Sequence, residues 1–283
     1  MPTDNSDQIA EWNGTQGERW ATMQREIDGI VLPFGDAALK AAAPQPGERV
    51  VDIGCGCGDT SIELARLVGP SGAVLGVDVS QPMLEVAHSL GARERGLNLT
   101  FREADAASAE LPANTDLHYS RFGVMFFADP TEAFAHLRKS LRPGGRCVFA
   151  CWRTPRDNPW SMTPLMAARQ ALNITPPPMD PSAPGPFAFA SEEGVRAVLS
   201  GAGFANIELH RFDAAVRLGD TPRSAAEGAM RIGPTSRLAR EIDTEHHPLI
   251  RDAVERALSS LAAPDGQVRL NGSAWIVSAS NPA

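Results

Sequence analysis

The feature that most constrains this chain is the run Val50-Val51-Asp52-Ile53-Gly54-Cys55-Gly56-Cys57-Gly58-Asp59-Thr60. There a short apolar stretch enters three alternating glycines and leaves into a helical pattern. A β-branched run of that length fits a strand buried on both faces of a parallel sheet. The glycines let the backbone bend sharply and approach a ligand that a Cβ would strike. Strand, glycine bend and helix in that order open an α/β sheet whose ligand crevice lies beyond the carboxyl ends of its strands.

The rest of the chain agrees with that opening. From about residue 37, β-branched runs alternate with amphipathic helical patterns, as expected of a mostly parallel sheet with helices on both faces. The strands are predicted at Arg49–Ile53, Ala73–Val77, Leu97–Arg102, Asp116–Phe122, Arg146–Ala150, Asn206–Phe212 and Ala274–Ala279. The result is a Rossmann-like α/β sheet of seven strands with the last one antiparallel. Between them, Thr60 and Glu63 suggest a capping box, and Ser80 with Pro82 a second helix start. Asp129-Pro130 begins a helix running through Leu141 to a stop at Pro143-Gly144-Gly145, and Ser191 caps another. Residues 153–190 hold nine prolines, too many for a continuous helix, so a loop-rich insertion is expected there. A second, helical insertion is expected at about 220–265. The whole is predicted as one domain over 1–283, with a helical lid at 1–36, a ligand-binding core at 37–152 and the end of the sheet in 191–283.

Composition narrows the function classes. A formal charge of −8 and a pI near 5.3 leave no basic surface for phosphate backbones, so no nucleic-acid partner is expected. No stretch of about 18 apolar residues predicts a membrane span. The start is polar and does not resemble a signal peptide. Cys55, Cys57, Cys147 and Cys151 lie in apolar or glycine-rich runs without disulfide or zinc spacing. A cytoplasmic location and no metal are the expectations.

The glycine spacing separates two ligand classes. G-x-G-x-G with Asp59 in the place of a third dinucleotide-type glycine would set a carboxylate against a diphosphate. A cofactor without phosphates is therefore preferred over a nicotinamide nucleotide. Asp78, 20 residues after Gly58 and at the end of the second strand, can accept hydrogen bonds from both hydroxyls of a ribose.

Asp52-x-Gly54-x-Gly56-x-Gly58, the strand-end Asp78 and Arg142-Pro143-Gly144-Gly145 before a strand together resemble the class I S-adenosylmethionine-dependent methyltransferases. The group most resembled is the ubiquinone/menaquinone-methyltransferase-like one, and the resemblance runs from about Glu11 to Ala150. It implies S-adenosyl-L-methionine as cofactor, with the backbone at Gly54, Cys55 and Gly56 along its methionine and ribose parts. By the same resemblance Asp78 and Val79 meet the ribose, Met83 flanks the adenine, and Asp105 with Ala106 meets the adenine amino group. Trp20 and Gln24, on a segment that folds over the cofactor in related enzymes, are candidates for its methionine end. Trp12 and Trp20 could equally anchor a helix on the core. Ser120 and Arg121, ending the fourth strand, complete the expected site.

The acceptor is expected to be a small molecule, methylated on C, N or O. Arg121 can hold an acidic group in a fork or pair with a carboxylate. Phe122, Trp160 and His247, with Trp152 and Phe187, are candidate acceptor contacts. No residue stands out as a general base, since none of the histidines sits in an identifying pattern. A nicotinamide-dependent oxidoreductase and a non-catalytic cofactor-binding protein are the competing readings. Nothing in the composition fixes the oligomeric state.

Overall fold

The computed structural model describes residues 5–175 and 183–282. Three helices come first, α1 (Ser6–Asn13), α2 (Thr15–Thr22) and α3 (Gln24–Ala42). Then β1 (Arg49–Ile53), α4 (Asp59–Val68), β2 (Ala73–Asp78), α5 (Gln81–Gly91) and β3 (Leu99–Glu103) alternate. β4 (Thr115–Arg121), α6 (Pro130–Arg138) and β5 (Leu141–Trp152) follow, then α7 (Pro159–Ala171), α8 (Glu192–Gly201) and β6 (Ala205–Gly219). The chain closes with α9 (Pro222–Ala229), α10 (Pro234–Arg240), α11 (His247–Ser259) and β7 (Val268–Ser280).

The seven strands lie in the order β3-β2-β1-β4-β5-β7-β6. β1 pairs parallel with β2 and β4, β2 with β3 and β4 with β5, while β7 pairs antiparallel with β5. This is the predicted sheet. Val50, Val51, Asp52 and Ile53 are all buried, as a central parallel strand requires. After β1 the chain winds outward through β2 and β3, then returns to β4 on the other side. The crevice of such a sheet belongs at that reversal, between β1 and β4.

By contact density the described residues fall into two units, one of 5–152, 183–212 and 274–282, the other of 153–175 and 213–273. The first holds β1 to β5 around a core in which Phe34, Phe134, Phe149, Leu117 and Tyr119 are fully buried. Each such side chain contributes roughly 1.5–3 kcal/mol by leaving water. The second has its own apolar cluster, centred on Leu165, Ile250, Val254 and Leu258 from α7 and α11.

Several local expectations are corrected. Gly58, not Thr60, occupies the N-cap of α4; the Thr60 hydroxyl donates to Asp52 Oδ2 at 2.7 Å instead. Ser80 sits at the N-cap of α5 but makes no capping bond, because its Oγ donates to the Trp12 carbonyl at 2.7 Å. Asp129 and Ser191 do cap α6 and α8 through the amides of Glu132 and Gly194. α6 ends at Arg138, and Leu141 already belongs to β5, with Gly144 at φ 71° inside that strand. In the proline-rich stretch, Pro159 takes the first turn of α7, where its missing N–H costs nothing, and Pro164 sits within the helix. Pro176-Pro177-Pro178 lie outside the described residues.

Candidate ligand-binding site

At the carboxyl ends of β1 to β4 the first unit encloses a cavity with about 1060 Å³ of non-atom space, its open mouth included. Its floor is the glycine bend. Gly54 and Gly56 have φ of 66° and 54°, a region that side chains with a Cβ avoid. The physical reason for these glycines differs from the expected one. A Cβ on Gly54 would come within 2.8 Å of Gly123 Cα, and one on Gly56 within 2.7 Å of Met83 Cε. The loop is thus packed against the exit of β4 and the start of α5, and the space above it stays open.

Asp78 clamps that loop. Its Oδ2 accepts from the Gly56 amide at 2.7 Å and its Oδ1 from the Ser80 amide at 2.8 Å. Burial pushes its carboxyl above the ordinary range, and the amides of Ser80, Gly56 and Val79 pull it back. Each carboxylate oxygen retains a lone pair, and Asp78 with Val79 faces the cavity.

The amino-terminal helices form the opposite wall. Asn13 Nδ2 donates to the Val79 carbonyl at 2.7 Å, and Asn13 Oδ1 accepts from the Gln81 amide at 2.9 Å. Asn5 donates to Asp105 Oδ1 at 2.9 Å and accepts from the Ala128 amide at 2.8 Å. Trp12 packs edge-on against Trp20 and Phe126, with ring centroids 5.5 and 5.2 Å apart. The two tryptophans line the cavity and anchor the segment at once.

Of the residues singled out in the sequence, Trp20, Gln24, Gly54, Cys55, Gly56, Asp78, Val79, Met83, Asp105, Ala106, Arg121 and Phe122 all line this one cavity. Asp52, Gly58 and Ser120 are not among its lining and brace it from behind. Asp52, fully buried, accepts from Thr60 at 2.7 Å and Ser61 at 2.6 Å. Burial raises its carboxyl to about 6 against the pull of those two hydroxyls. A Cβ on Gly58 would meet Phe101 at 2.8 Å, and the Ser120 hydroxyl donates to the Ile53 carbonyl at 2.7 Å, tying β4 to β1.

Two expected acceptor residues, Trp160 and His247, belong to the second unit. Trp160 is on α7 and donates to Asn158 Oδ1 at 3.1 Å, and His247 on α11 bonds the Ala239 carbonyl at 2.8 Å. Phe122 does line the cavity, held at a positive φ of 64° and stacked on Trp152 with centroids 4.1 Å apart. A bulky residue in that region is strained; here the stack and the tight turn at Gly123 hold it.

Arg121 lines the cavity, but its guanidinium is 2.7 Å from Asp28 of α3. Asp59, which accepts from Gln24 Nε2, is near enough to act on the Asp28 carboxyl. Burial raises the Asp28 carboxyl to about 6, Arg121 opposing and Asp59 reinforcing the shift. Asp28 was missed in the sequence. Its signal was the helical spacing from Gln24, since 24, 27, 28 and 31 share one face of α3 and all four line the cavity. Four aspartates, 28, 59, 78 and 105, thus face the cavity against one arginine. Such a lining repels a diphosphate and suits a ligand that carries positive charge.

The remaining titratable groups play structural parts. His118 is fully buried, bonded to Thr115 and Ser140, and burial lowers it to about 3, so it is neutral. The four cysteines are buried and free, and burial raises all their thiols. Among the described residues no three His, Cys, Asp or Glu side chains group as metal ligands, and no helix is long and apolar enough to cross a membrane.

Comparison with known proteins now bears on the site. A family model described as a methyltransferase domain matches residues 50–145, the stretch that carries the glycine bend, Asp78 and Asp105. Nocamycin O-methyltransferase of Saccharothrix syringae is 30% identical over 188 residues, covering 63% of this chain and 67% of that protein. Aklanonic acid methyltransferase of Streptomyces sp. (strain C5) is 38% identical over 119 residues, 41% of this chain and 54% of that one. This chain therefore spans about half the length of the second relative and two thirds of the first. Among solved structures, YcgJ of the Bacillus source matches with a TM-score of 0.58 at 18% identity, covering 88% of this chain and 98% of its own. That likeness concerns the fold alone. Shared strand, bend and helix in the family match, and similarity to the nocamycin enzyme over most of its length, make this chain a member of the class I S-adenosylmethionine-dependent methyltransferases.

Proposed function

We propose that this chain transfers a methyl group from S-adenosylmethionine to a small planar acceptor carrying an acidic hydroxyl or carbon. The observation that carries the cofactor half is the lining of the cavity: a glycine floor, a strand-end Asp78 with lone pairs to spare, and an excess of carboxylates. These residues fit an adenosyl sulfonium and conflict with a diphosphate, which counts against a nicotinamide cofactor. Asp78 with Val79 would hold the ribose, Met83 the adenine face, and Asp105 with Ala106 the adenine edge. Gly54, Cys55 and Gly56 would follow the chain towards the methionine end, and Trp20 and Gln24 would cover it.

When bound, the sulfonium supplies an activated methyl group and a neutral thioether leaving group. What remains for the protein is alignment and dryness. The helices α1 and α2, fastened by Asn5, Asn13 and Ser80, wall the cavity on one side and would shield the bound ligand there. Trp12, Phe122, Phe126 and Phe127 give it apolar walls, which suit a flat, apolar acceptor. Phe122, backed by Trp152, is placed to set the acceptor's plane. The relatives named for nocamycin and aklanonic acid support a small-molecule acceptor. A net charge of −8 disfavours a nucleic-acid acceptor, and four free thiols suit a cytoplasmic setting.

The test is a mass-spectrometric screen of phenolic, enolic and quinone-like acceptors for the gain of one methyl group with S-adenosylmethionine present. Conversion by wild type, with Asp78→Asn binding the cofactor weaker by about 1.5–3 kcal/mol, is the expected result for loss of a charged hydrogen bond. Unchanged cofactor affinity in Asp78→Asn would remove the ribose from that carboxylate.

A further inference from the structure

Asn5, Gln8, Ile9 and Trp12 all line the cavity, at the i, i+3, i+4 and i+7 spacing of one face of a helix. Three of them have evident work there. Ile9 adds apolar wall, Trp12 packs on Trp20 and Phe126, and Asn5 bridges Asp105 to Ala128. Gln8 differs. Its amide oxygen Oε1 is buried and has no hydrogen-bond partner among the described residues. A buried amide oxygen left unmet is unfavourable, so one that belongs to a cavity-lining residue points to a donor brought by the ligand.

Position along α1 says which donor. At one end of the face Asn5 donates to Asp105 Oδ1 at 2.9 Å, in the loop after β3. At the other end the Trp12 carbonyl accepts from Ser80 Oγ at 2.7 Å, and Asn13 Nδ2 donates to the Val79 carbonyl at 2.7 Å, both just after β2. Gln8 stands about 4.5 Å along the axis from Asn5 and about 6 Å from Trp12, towards the Asp105 end. Asp105 Oδ1 is already filled, since it also accepts from the Ala107 amide at 2.9 Å, and Oδ2 is left for a ligand. Adenosine carries its donors on two ribose hydroxyls and one exocyclic amino group. With the hydroxyls on Asp78, the amino group and its two hydrogens remain for this end of the cavity.

We infer that Gln8 is a specificity-determining residue: its Oε1 accepts one hydrogen of the adenine amino group, Asp105 Oδ2 accepts the other, and a 6-aminopurine is thereby selected over purines without that donor. The inference rests on the proposed cofactor and deepens it by adding a base-reading residue from the amino-terminal helix. Selection comes from the cost of the wrong base. A purine lacking the amino group leaves the Gln8 oxygen as unmet as it is in the empty cavity, whereas adenine satisfies it.

The experiment is a double-mutant cycle between residue and base, read as dissociation constants by calorimetry on the whole chain. S-adenosylhomocysteine is one ligand, and its analogue with hydrogen in place of the exocyclic amino group is the other. Wild type should prefer the first. Gln8→Leu and Gln8→Met keep the bulk of the side chain and remove its acceptor; each should shrink that preference by about fivefold to tenfold, mainly by weakening S-adenosylhomocysteine. Without ligand both variants should melt no lower than wild type, because no hydrogen bond within the chain is lost. A preference unchanged in both variants, or a wild type that binds the two ligands alike, would overturn the inference while leaving the cofactor standing. Variants that melt lower with their preference intact would make Gln8 a residue of the fold alone. Failure of wild type to bind S-adenosylhomocysteine would instead overturn the proposed cofactor and this inference together.

Discussion

At the scale of single residues, the carboxylates of this chain divide by what surrounds them. Asp52 is fully buried, two hydroxyls serve one of its oxygens, and Oδ1 has no hydrogen-bond partner among the described residues. Its carboxyl is raised to about 6 from an ordinary 3.8, so the folded state holds a proton that the unfolded chain has already lost. Stability from this group is therefore full below about pH 4 and declines as pH rises through 6. The gap corresponds to roughly 3 kcal/mol. Asp52→Asn keeps the shape and the acceptor but cannot ionise. The difference in unfolding free energy between wild type and this variant should drift by that order between pH 4 and 7 in denaturant titrations. Parallel pH profiles would mean that Asp52 is ionised throughout. The aspartate was legible in the sequence as part of the glycine-bend motif; only burial beneath Thr60 and Ser61 shows it to be a brace.

At the scale of elements, the glycine bend was legible and its reason was not. Strand, bend and helix could be read from a β-branched run, three glycines and an apolar period. That Gly54 answers to Gly123, and Gly56 to Met83, depends on which strand returns beside β1, and a local pattern carries no such information. The same limit explains the error at the start of β5. Leu141 continues the apolar spacing of α6 but pairs with Thr115 in β5, because a non-local partner decided between two locally acceptable states. Two substitutions separate local from tertiary causes. Gly54→Ala meets backbone at 2.8 Å in a positive-φ position and should destabilise the fold by about 1–3 kcal/mol and weaken adenosyl-ligand binding. Gly29→Ala lies in α3 with nothing within 4 Å of the new Cβ and should stabilise by about 0.5–1 kcal/mol. Thermal melts of the two variants check both signs; a neutral Gly54→Ala would mean that the bend yields.

At the scale of the whole molecule, the first unit brings the site together from segments far apart in sequence. Asn5, Gln24, Gly56, Asp78, Asp105 and Arg121 meet only because four parallel strands end at one edge and an amino-terminal segment folds back across it. The sequence exposed the strand ends, since each carries its own motif. It did not expose Asp28 or Asn5, whose roles exist only once α3 lies beside β4 and Asn5 bridges Asp105 to Ala128. Trp160 and His247 fold into the second unit, a membership that periodicity alone does not reveal, since it cannot say which core a helix joins. The central claim is that this edge holds an adenosyl amino acid along the row from Asp105 to Arg121. A crystal structure of the chain grown with S-adenosylhomocysteine tests it most directly, beside a parallel crystal grown with NADH. The account predicts ribose hydroxyls on Asp78, the amino-acid end beneath Trp20 and Gln24, and no nucleotide in the second crystal. A nicotinamide nucleotide seated on the glycine bend, or S-adenosylhomocysteine bound elsewhere, would contradict it.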